Sequence, residues 1–210
     1  MFMCTGSNSP ADWQEVNASQ PVPFWESLYA DMIAHIPLEE RAMPTARWIW
    51  TMTIIALRSV GFHAMLLYRL SHTARWHLGI VGKMFAGAAF WLGRHWHGCT
   101  LAPKARLYGG LILPHPQGIV IGPQVVVGPR AWILQNVTLG GVPEKDGMPR
   151  IGADSRIYAG AVVVGPITLG DNVMIGANAV VTENINSRTL VRQSPVVSSS
   201  LPERFLANPE

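Results

Sequence analysis

A six-residue period across residues 101–186 constrains the fold of this chain more than any other feature. Every sixth residue is a branched aliphatic in three runs, over residues 101–113, 121–139 and 151–181. This period fits neither an α-helix nor a hairpin meander, but it is typical of a parallel β-helix with three short faces per coil. The aliphatic side chains then point inward and stack about 4.7 Å apart, coil upon coil. The sequence therefore predicts a mainly β fold, a parallel β-helix with Gly, Asn and Asp at its corners.

Two interruptions of the repeat are the natural places for a functional site. Eight residues instead of six separate Leu113 from Ile121, and this insertion carries His115, the one histidine of the repeat. The second interruption is GGVPEKDGMPR, residues 140–150, which lacks the aliphatic frame and must leave the coil as a loop. Departures from a regular solenoid usually hold function, so we expect the site at these two places.

Three stretches of the chain resemble one enzyme family. LPHPQGIVIG, ILQNVTLGG with its downstream loop, and GFHAMLLYRLSHTARW at residues 61–76 are similar to the serine acetyltransferase branch of the left-handed β-helix acyltransferases. The resemblance covers residues 61–186. It implies a left-handed β-helix, a homotrimer (with a dimer of trimers as an open alternative) and acetyl-CoA as co-substrate. No metal site is expected, because His95 and His97 lie on different sides of a helix and His63 and His72 have no Cys or carboxylate companions. Within that branch the chain looks closest to members linked to exopolysaccharide assembly.

The chemistry of acyl transfer to a hydroxyl assigns a role to the histidine. The reaction needs a base that takes the hydroxyl proton during attack on the thioester. Histidine, with an ordinary pKa of about 6.5, suits this role near neutral pH. His115 occupies the turn that resembles the family's catalytic turn, between Pro114 and Pro116, which stiffen its backbone. His115 is therefore the predicted general base.

Two binding regions are expected, the first implied by the resemblance and the second by the residues themselves. A groove between adjacent subunits would hold acetyl-CoA along backbone and small side chains, with two arginines near its phosphates: Gly140, Gly141, Ala159, Ala177, Arg150 and Arg192. The acceptor would meet a second set, mostly polar: Gln117, Gln135, Asn136, Glu144, Asp146 and Met148.

Departures from the family pattern bear on the acceptor. Pro114 stands where the family has an Asp that binds substrate, and Thr100 stands where an Asp partners the catalytic histidine. Gly147 and Met148 replace an Arg-His pair that handles the serine carboxylate, and residues 41–143 contain no Asp to meet the amino group. Burying an unpaired ammonium or carboxylate is costly, so we expect a hydroxyl of a sugar or polysaccharide precursor as the acceptor. Two alternatives remain open: a serine O-acetyltransferase with a rearranged pocket, and a non-catalytic β-helix scaffold.

Helices are predicted ahead of the repeat, over residues 24–36, 45–71 with a break near Gly61, and 79–96. The expected organisation is an acidic arm with a short helix (1–44), an α-helical domain (45–98), the β-helix (99–192) and a tail (193–210). Residues 1–40 hold six carboxylates and no Lys or Arg, whereas residues 41–143 hold ten Lys or Arg and no carboxylate. This segregation predicts an acidic arm, a basic surface, or the folding of one against the other.

The basic residues of the helical region have a regular spacing. Arg47, Arg58 and Arg69 lie eleven residues apart, as do Lys83 and Arg94, which places each set on one helical face. With tryptophans nearby, this surface has two interpretations: contact with an anionic membrane, or a subunit-packing domain whose basic face meets solvent or the acidic arm. We favour the second.

Compartment and other partners follow from simpler observations. The apolar runs are too short to span a bilayer, no secretory signal is recognisable, and two cysteines give no disulfide framework. A cytoplasmic protein is expected, with the inner membrane face as the place of any peripheral contact. No nucleic-acid partner is expected, because a β-helix offers no element that reads a groove.

Overall fold

The computed structural model describes residues 21–36, 45–143 and 145–193. Four helices precede the strands in these ranges: α1 (Phe24–Ala34), α2 (Thr45–Arg58), α3 (Val60–His77) and α4 (Gly79–Trp96). The predicted bounds of α4 are confirmed. The segment predicted to break near Gly61 is two helices that part at Ser59, whose Oγ accepts a hydrogen bond from Phe62 N at 3.1 Å and caps α3.

Thirteen short strands follow in the described part of the chain. They are β1 (Thr100–Leu101), β2 (Arg106–Leu107), β3 (Val120–Ile121), β4 (Val126–Val127), β5 (Trp132–Ile133), β6 (Thr138–Gly140), β7 (Arg150–Ile151), β8 (Arg156–Ile157), β9 (Val162–Val164), β10 (Thr168–Leu169), β11 (Met174–Ile175), β12 (Val180–Val181) and β13 (Leu190–Val191).

The strands form three parallel sheets. Sheet A has the order β1-β3-β6-β9-β12, sheet B the order β10-β7-β4-β2, and sheet C the order β13-β11-β8-β5. From β3 to β12, consecutive strands visit sheets A, B and C in turn, and isolated bridges from Ile112 to Trp132 and from Leu169 to Ile185 take the place of a strand in the first and last coils. The chain therefore winds through about five coils. The predicted mainly β fold, a parallel β-helix preceded by helices, is confirmed.

The aliphatic frame forms the core of the β-helix. Leu107, Leu113, Ile133, Ile157 and Ile175 are each 0% exposed. Full burial of one such side chain contributes about 1.5–3 kcal/mol. The six-residue period is therefore the spacing at which each face of a coil delivers one side chain to the interior.

The corners stack so closely that some positions must be glycine. A Cβ atom on Gly152 would lie 2.1 Å from the carbonyl oxygen of Gly170, one coil further on. Other corner residues adopt left-handed backbone conformations, including Asn136 (φ 59°) and Asn178 (φ 58°). Asn tolerates this region better than most residues, as the sequence predicted for the corners.

The helical region is attached to the β-helix through α3. A Cβ atom on Gly61 would lie 1.9 Å from the carbonyl oxygen of Leu113, so this helix touches the backbone just before the turn that carries His115. Tyr68 Oη donates to Ala105 O at 2.8 Å and accepts from Leu107 N at 3.2 Å. These contacts hold α3 against the first coil.

A buried ion pair joins the N-terminal arm to both regions. Arg69 Nε donates to Asp31 Oδ2 at 3.0 Å, and the two side chains are 2% and 0% exposed. Asp31 Oδ1 also accepts from Gly110 N at 2.8 Å and Leu111 N at 3.0 Å. Arg69 donates to Leu107 O as well, and to Tyr108 O at 3.0 Å. Burial raises the pKa of the Asp31 carboxyl, and the Arg69 guanidinium and the two backbone amides oppose that rise.

The prediction that Arg47, Arg58 and Arg69 share a surface is wrong. Arg47 and Arg58 are exposed on α2, but Arg69 lies on the next helix and is buried because it neutralises Asp31. The folding of the acidic arm against the basic region, one of the alternatives drawn from the charge segregation, occurs at this pair. No helix of the described residues is long and apolar enough to cross a membrane.

Candidate active site

Backbone hydrogen bonds fix the turn that carries His115. Gly118 N donates to Gly98 O at 2.7 Å, and Ile119 N donates to Pro116 O at 3.2 Å. Gly118 has φ +72°, and a Cβ atom there would lie 2.0 Å from Asn136 Oδ1. Pro116 is buried whereas the His115 side chain is exposed. A fixed backbone therefore presents the imidazole to solvent.

Several candidate residues lie with His115 along one corner of the β-helix, between sheets C and A. We call this the first corner. Asn136 N donates to Gln117 O at 3.0 Å, and in later coils Gly160 N donates to Gln135 O at 3.0 Å and Asn178 N to Ala159 O at 2.9 Å. The residues of the first corner that the sequence singled out are His115, Gln117, Gln135, Asn136, Ala159 and Ala177. They form a column parallel to the axis of the β-helix, with neighbouring coils about 4.8 Å apart.

One polar atom in this column lacks a partner. Gln135 Oε1 is buried and accepts no hydrogen bond from the residues that the structure describes. Leaving a buried acceptor unsatisfied costs about 1–3 kcal/mol. A ligand that brings a hydroxyl or ammonium donor to this corner would remove that cost. Gln135 is also one of the residues that the sequence predicts to contact the acceptor substrate.

The other candidates lie at a second corner, between sheets A and B, where the loop of residues 140–150 leaves the coil. Met148 covers Gly141, since a Cβ atom on Gly141 would lie 3.1 Å from Met148 Cε. A Cβ atom on Gly140 would have no neighbour within 4 Å. Asp146 is exposed, and Glu144 lies outside the described residues.

The two corners are opposite edges of sheet A. Gly141 follows Asn136 by five residue steps along one coil, which corresponds to about 16 Å at about 3.3 Å per residue. A single chain therefore does not bring His115 together with Gly140, Gly141, Asp146 or Met148.

The two arginines predicted to meet phosphates also lie apart. Arg192 is exposed at the end of sheet C, where a Cβ atom on Gly176 would lie 3.6 Å from its Cα, so it continues the first corner beyond Ala177. Arg150 opens β7 in sheet B, beside Val126. Only Arg192 lies in the same column as the two alanines.

His115 has no orienting partner within the described part of the chain. No residue there makes a hydrogen bond to its side chain, and the first corner contains no carboxylate. Asp146, a loop acid that could orient the imidazole, lies at the second corner. Among the described residues, no group of three or more His, Cys, Asp or Glu side chains could hold a metal ion.

Comparison with known proteins agrees with this fold. Residues 148–183 match the family model described as bacterial transferase hexapeptide (six repeats). A serine acetyltransferase of Helicobacter pylori is 37% identical over 147 residues, which cover 68% of this chain and 81% of that protein. A serine acetyltransferase of Synechococcus elongatus is 32% identical over 159 residues, covering 68% of this chain and 64% of that protein.

A solved structure gives the same result in three dimensions. The serine acetyltransferase of Neisseria gonorrhoeae, solved in complex with serine, superposes with a TM-score of 0.68 at 32% identity. The match covers 82% of this chain and 67% of that one.

The fold and the repeat define an acyltransferase of the hexapeptide-repeat class. Within that class, the chain belongs to the serine acetyltransferase family. The predicted enzyme class, an acetyl-CoA-dependent acyltransferase, is confirmed at the level of the family. The predicted closeness to exopolysaccharide-associated members finds no support among these relatives, all of which are serine acetyltransferases by name.

Proposed function

We propose that this protein transfers the acetyl group of acetyl-CoA to the hydroxyl of L-serine, with His115 as the general base. The observation that carries the proposal is the exposed imidazole of His115, which lies in the first coil of the first corner on a turn held by backbone hydrogen bonds. Membership of the serine acetyltransferase family favours serine over the sugar acceptor that the sequence departures had suggested.

The imidazole acts on the proton of the acceptor hydroxyl. As the hydroxyl oxygen attacks the thioester carbonyl, His115 takes its proton; when the tetrahedral intermediate collapses, the C–S bond breaks and the imidazolium returns the proton to the CoA sulfur. The products are the O-acetyl ester and CoA. The Oε1 atom of Gln135 is available to accept a hydrogen bond from the substrate ammonium or hydroxyl.

A homotrimer would bring the two corners together. If the three copies of sheet A faced a common threefold axis, the first corner of each chain would lie beside the second corner of its neighbour. The outer face of sheet A supports this packing, because Val120 is 39% and Val180 66% exposed in the single chain. Acetyl-CoA would then lie between chains, along Gly140 and Gly141 of one chain and the alanines of the first corner of the next, with Arg150 or Arg192 near its phosphates.

A sugar hydroxyl is the second candidate acceptor. It is favoured by the absence of any Asp or Glu among the described residues of the first corner, where Gln117, Gln135 and Asn136 offer only uncharged partners. A free amino acid brings an ammonium and a carboxylate, each of which needs a partner when buried. Asp146 of a neighbouring chain is a candidate partner for the ammonium.

An acceptor panel separates the two candidates. CoA release from acetyl-CoA would be followed with L-serine, free hexoses, nucleotide sugars and lipid-linked oligosaccharides, and each product identified by mass spectrometry. Serine-dependent release with formation of O-acetylserine supports the proposal. Release with a sugar but not with serine would establish the second candidate and overturn the first.

Subunit mixing tests whether the site lies between chains. His115→Ala removes the base, and Gly140→Trp fills the second corner, where the structure leaves open space. Each variant alone is expected to be inactive. In randomly mixed trimers, about one interface in four would have both corners intact, so about a quarter of wild-type activity should return. A mixture as inactive as its parents would contradict a site shared between chains.

A further inference from the structure

The outer face of α4 has no cover in the described part of the chain. Seven large apolar side chains on and beside this helix are 48–75% exposed, and we call them the outer face: Leu78 59%, Ile80 71%, Val81 66%, Met84 72%, Phe85 48%, Trp91 56% and Trp96 75%. Such a contiguous patch is uncommon on a soluble surface and marks an interaction site.

Small residues on the opposite side of α4 explain why this face points outward. Gly82, Ala86 and Ala89 are buried against α3, and a Cβ atom on Gly82 would lie 1.8 Å from Ala74 O. The close approach of the two helices leaves no room for large side chains between them. The large apolar residues of α4 must therefore face away from the protein.

Charges are placed at one border of the outer face. At about 100° per residue, the outer face covers an arc of about 160°, and Lys83 and Arg94 lie within about 60° of its edge at Ile80. Both cations are exposed. No carboxylate occurs in residues 41–143, so α2, α3 and α4 carry no acidic side chain that could neutralise them. An apolar arc bordered by cations is typical of helices that lie flat in a membrane interface.

We propose that the outer face of α4 docks on an anionic lipid surface. The apolar side chains enter the boundary between headgroups and acyl chains, and Trp91 and Trp96 supply rings that favour this depth. Lys83 and Arg94 reach the lipid phosphates along their aliphatic stems. The helix lies on the bilayer and does not cross it, consistent with the absence of a spanning helix among the described residues.

The charges favour lipid over a second copy of the chain. Two outer faces packed against each other would bring four cations together, with no carboxylate of residues 41–143 to compensate them. An anionic bilayer supplies the missing negative charge. Docking would also hold the first coil near the membrane, because Gly98, two residues after α4, accepts the hydrogen bond from Gly118 in the His115 turn.

Vesicle sedimentation tests the proposal with the full chain. The wild type is expected to sediment with phosphatidylglycerol–phosphatidylcholine vesicles at low salt, and to bind at least tenfold more weakly to pure phosphatidylcholine vesicles. The double variant Ile80→Glu/Met84→Glu should lose at least tenfold in binding to the anionic vesicles. Thr182→Glu/Asn186→Glu adds the same charge to exposed positions of the last coil and should bind like the wild type.

Three results would overturn the proposal. One is a wild type that stays in the supernatant with anionic vesicles at low salt. Another is binding by Ile80→Glu/Met84→Glu within twofold of the wild type, when circular dichroism shows both to be folded. The third is a wild type that binds no vesicles but forms a larger assembly by light scattering, when Ile80→Glu/Met84→Glu does not form that assembly. This result would assign the outer face to a second copy of the chain.

Discussion

Asp31→Asn is expected to destabilise the protein strongly, because it discharges one partner of a buried ion pair. The asparagine Oδ1 can still accept from Gly110 N and Leu111 N, so these two hydrogen bonds persist. Its Nδ2 would point at Arg69 Nε, where the carboxylate oxygen now accepts at 3.0 Å, so two donors would face each other. Arg69 remains charged and 2% exposed without its counter-ion.

The size of the effect follows from that uncompensated charge. Removing one partner of a buried pair costs about 3–5 kcal/mol, whereas an exposed pair contributes about 0.2–1 kcal/mol. The chain offers the matched control: Asp154→Asn breaks the bidentate pair with Arg130, whose side chains are 35% and 54% exposed. We expect a loss below about 1 kcal/mol for this control, which should shrink further in high salt.

Urea unfolding at pH 7, followed by circular dichroism at one fixed protein concentration, gives both values. Adding Arg69→Met to Asp31→Asn removes the unpaired charge, so the double variant should lose less than the sum of the two single variants by at least about 1 kcal/mol. A loss for Asp31→Asn no larger than for Asp154→Asn, or strict additivity with Arg69→Met, would refute the reasoning.

Three further predictions concern other positions. Burial lowers the pKa of His72 to about 4, so the unfolded chain binds the extra proton; stability should fall by about 3 kcal/mol as the pH drops from about 6.5 to about 4, and urea titrations of His72→Gln should lack this slope. Gly152→Ala should cost at least about 2 kcal/mol in the same assay because its Cβ meets Gly170, whereas Gly140→Ala should be tolerated; equal stability of the two would contradict the stacking. Gln135→Leu removes the unsatisfied acceptor, so stability should be unchanged or slightly higher while KM for the acceptor substrate rises; an unchanged KM would remove Gln135 from the acceptor site.

The β-helix was predictable because a single residue class, the branched aliphatics, recurs with its six-residue period. Leu107, Ile133 and Ile157 recur at the spacing of one face, and nothing but a three-faced coil buries them all. The interruption at His115 was equally visible, because a break in a regular frame needs no tertiary information. Gly82, Ala86 and Ala89 of α4 let this helix approach α3 closely, and their small size is also visible in the sequence.

Contacts between distant segments were not predictable in the same way. Asp31 and Arg69 are 38 residues apart, and both belong to charged residue types that usually lie at the surface. The prediction from the eleven-residue spacing wrongly placed Arg69 on an exposed surface. Periodicity indicates which side of a helix a residue lies on, but not what packs against that side. His115 and the loop at residues 140–150 are far apart because they interrupt the repeat at different corners. The corner to which an interruption belongs can be assigned only when the sheets are known.

The acceptor illustrates a different limit. Missing carboxylates in one chain argue against serine only if one chain forms the whole pocket. Since the two corners lie at opposite edges of sheet A, a neighbouring chain can supply charges that the first corner lacks.

The most direct measurement is serine-dependent CoA release by the wild type and by His115→Ala, with His77→Ala, the same change at an exposed position at the end of α3, as the control outside both corners. We expect turnover by the wild type and the control, and a loss of about 10²–10⁴-fold in kcat for His115→Ala with its oligomeric state unchanged. Turnover by His115→Ala within tenfold of the wild type would contradict the role of His115 as the general base.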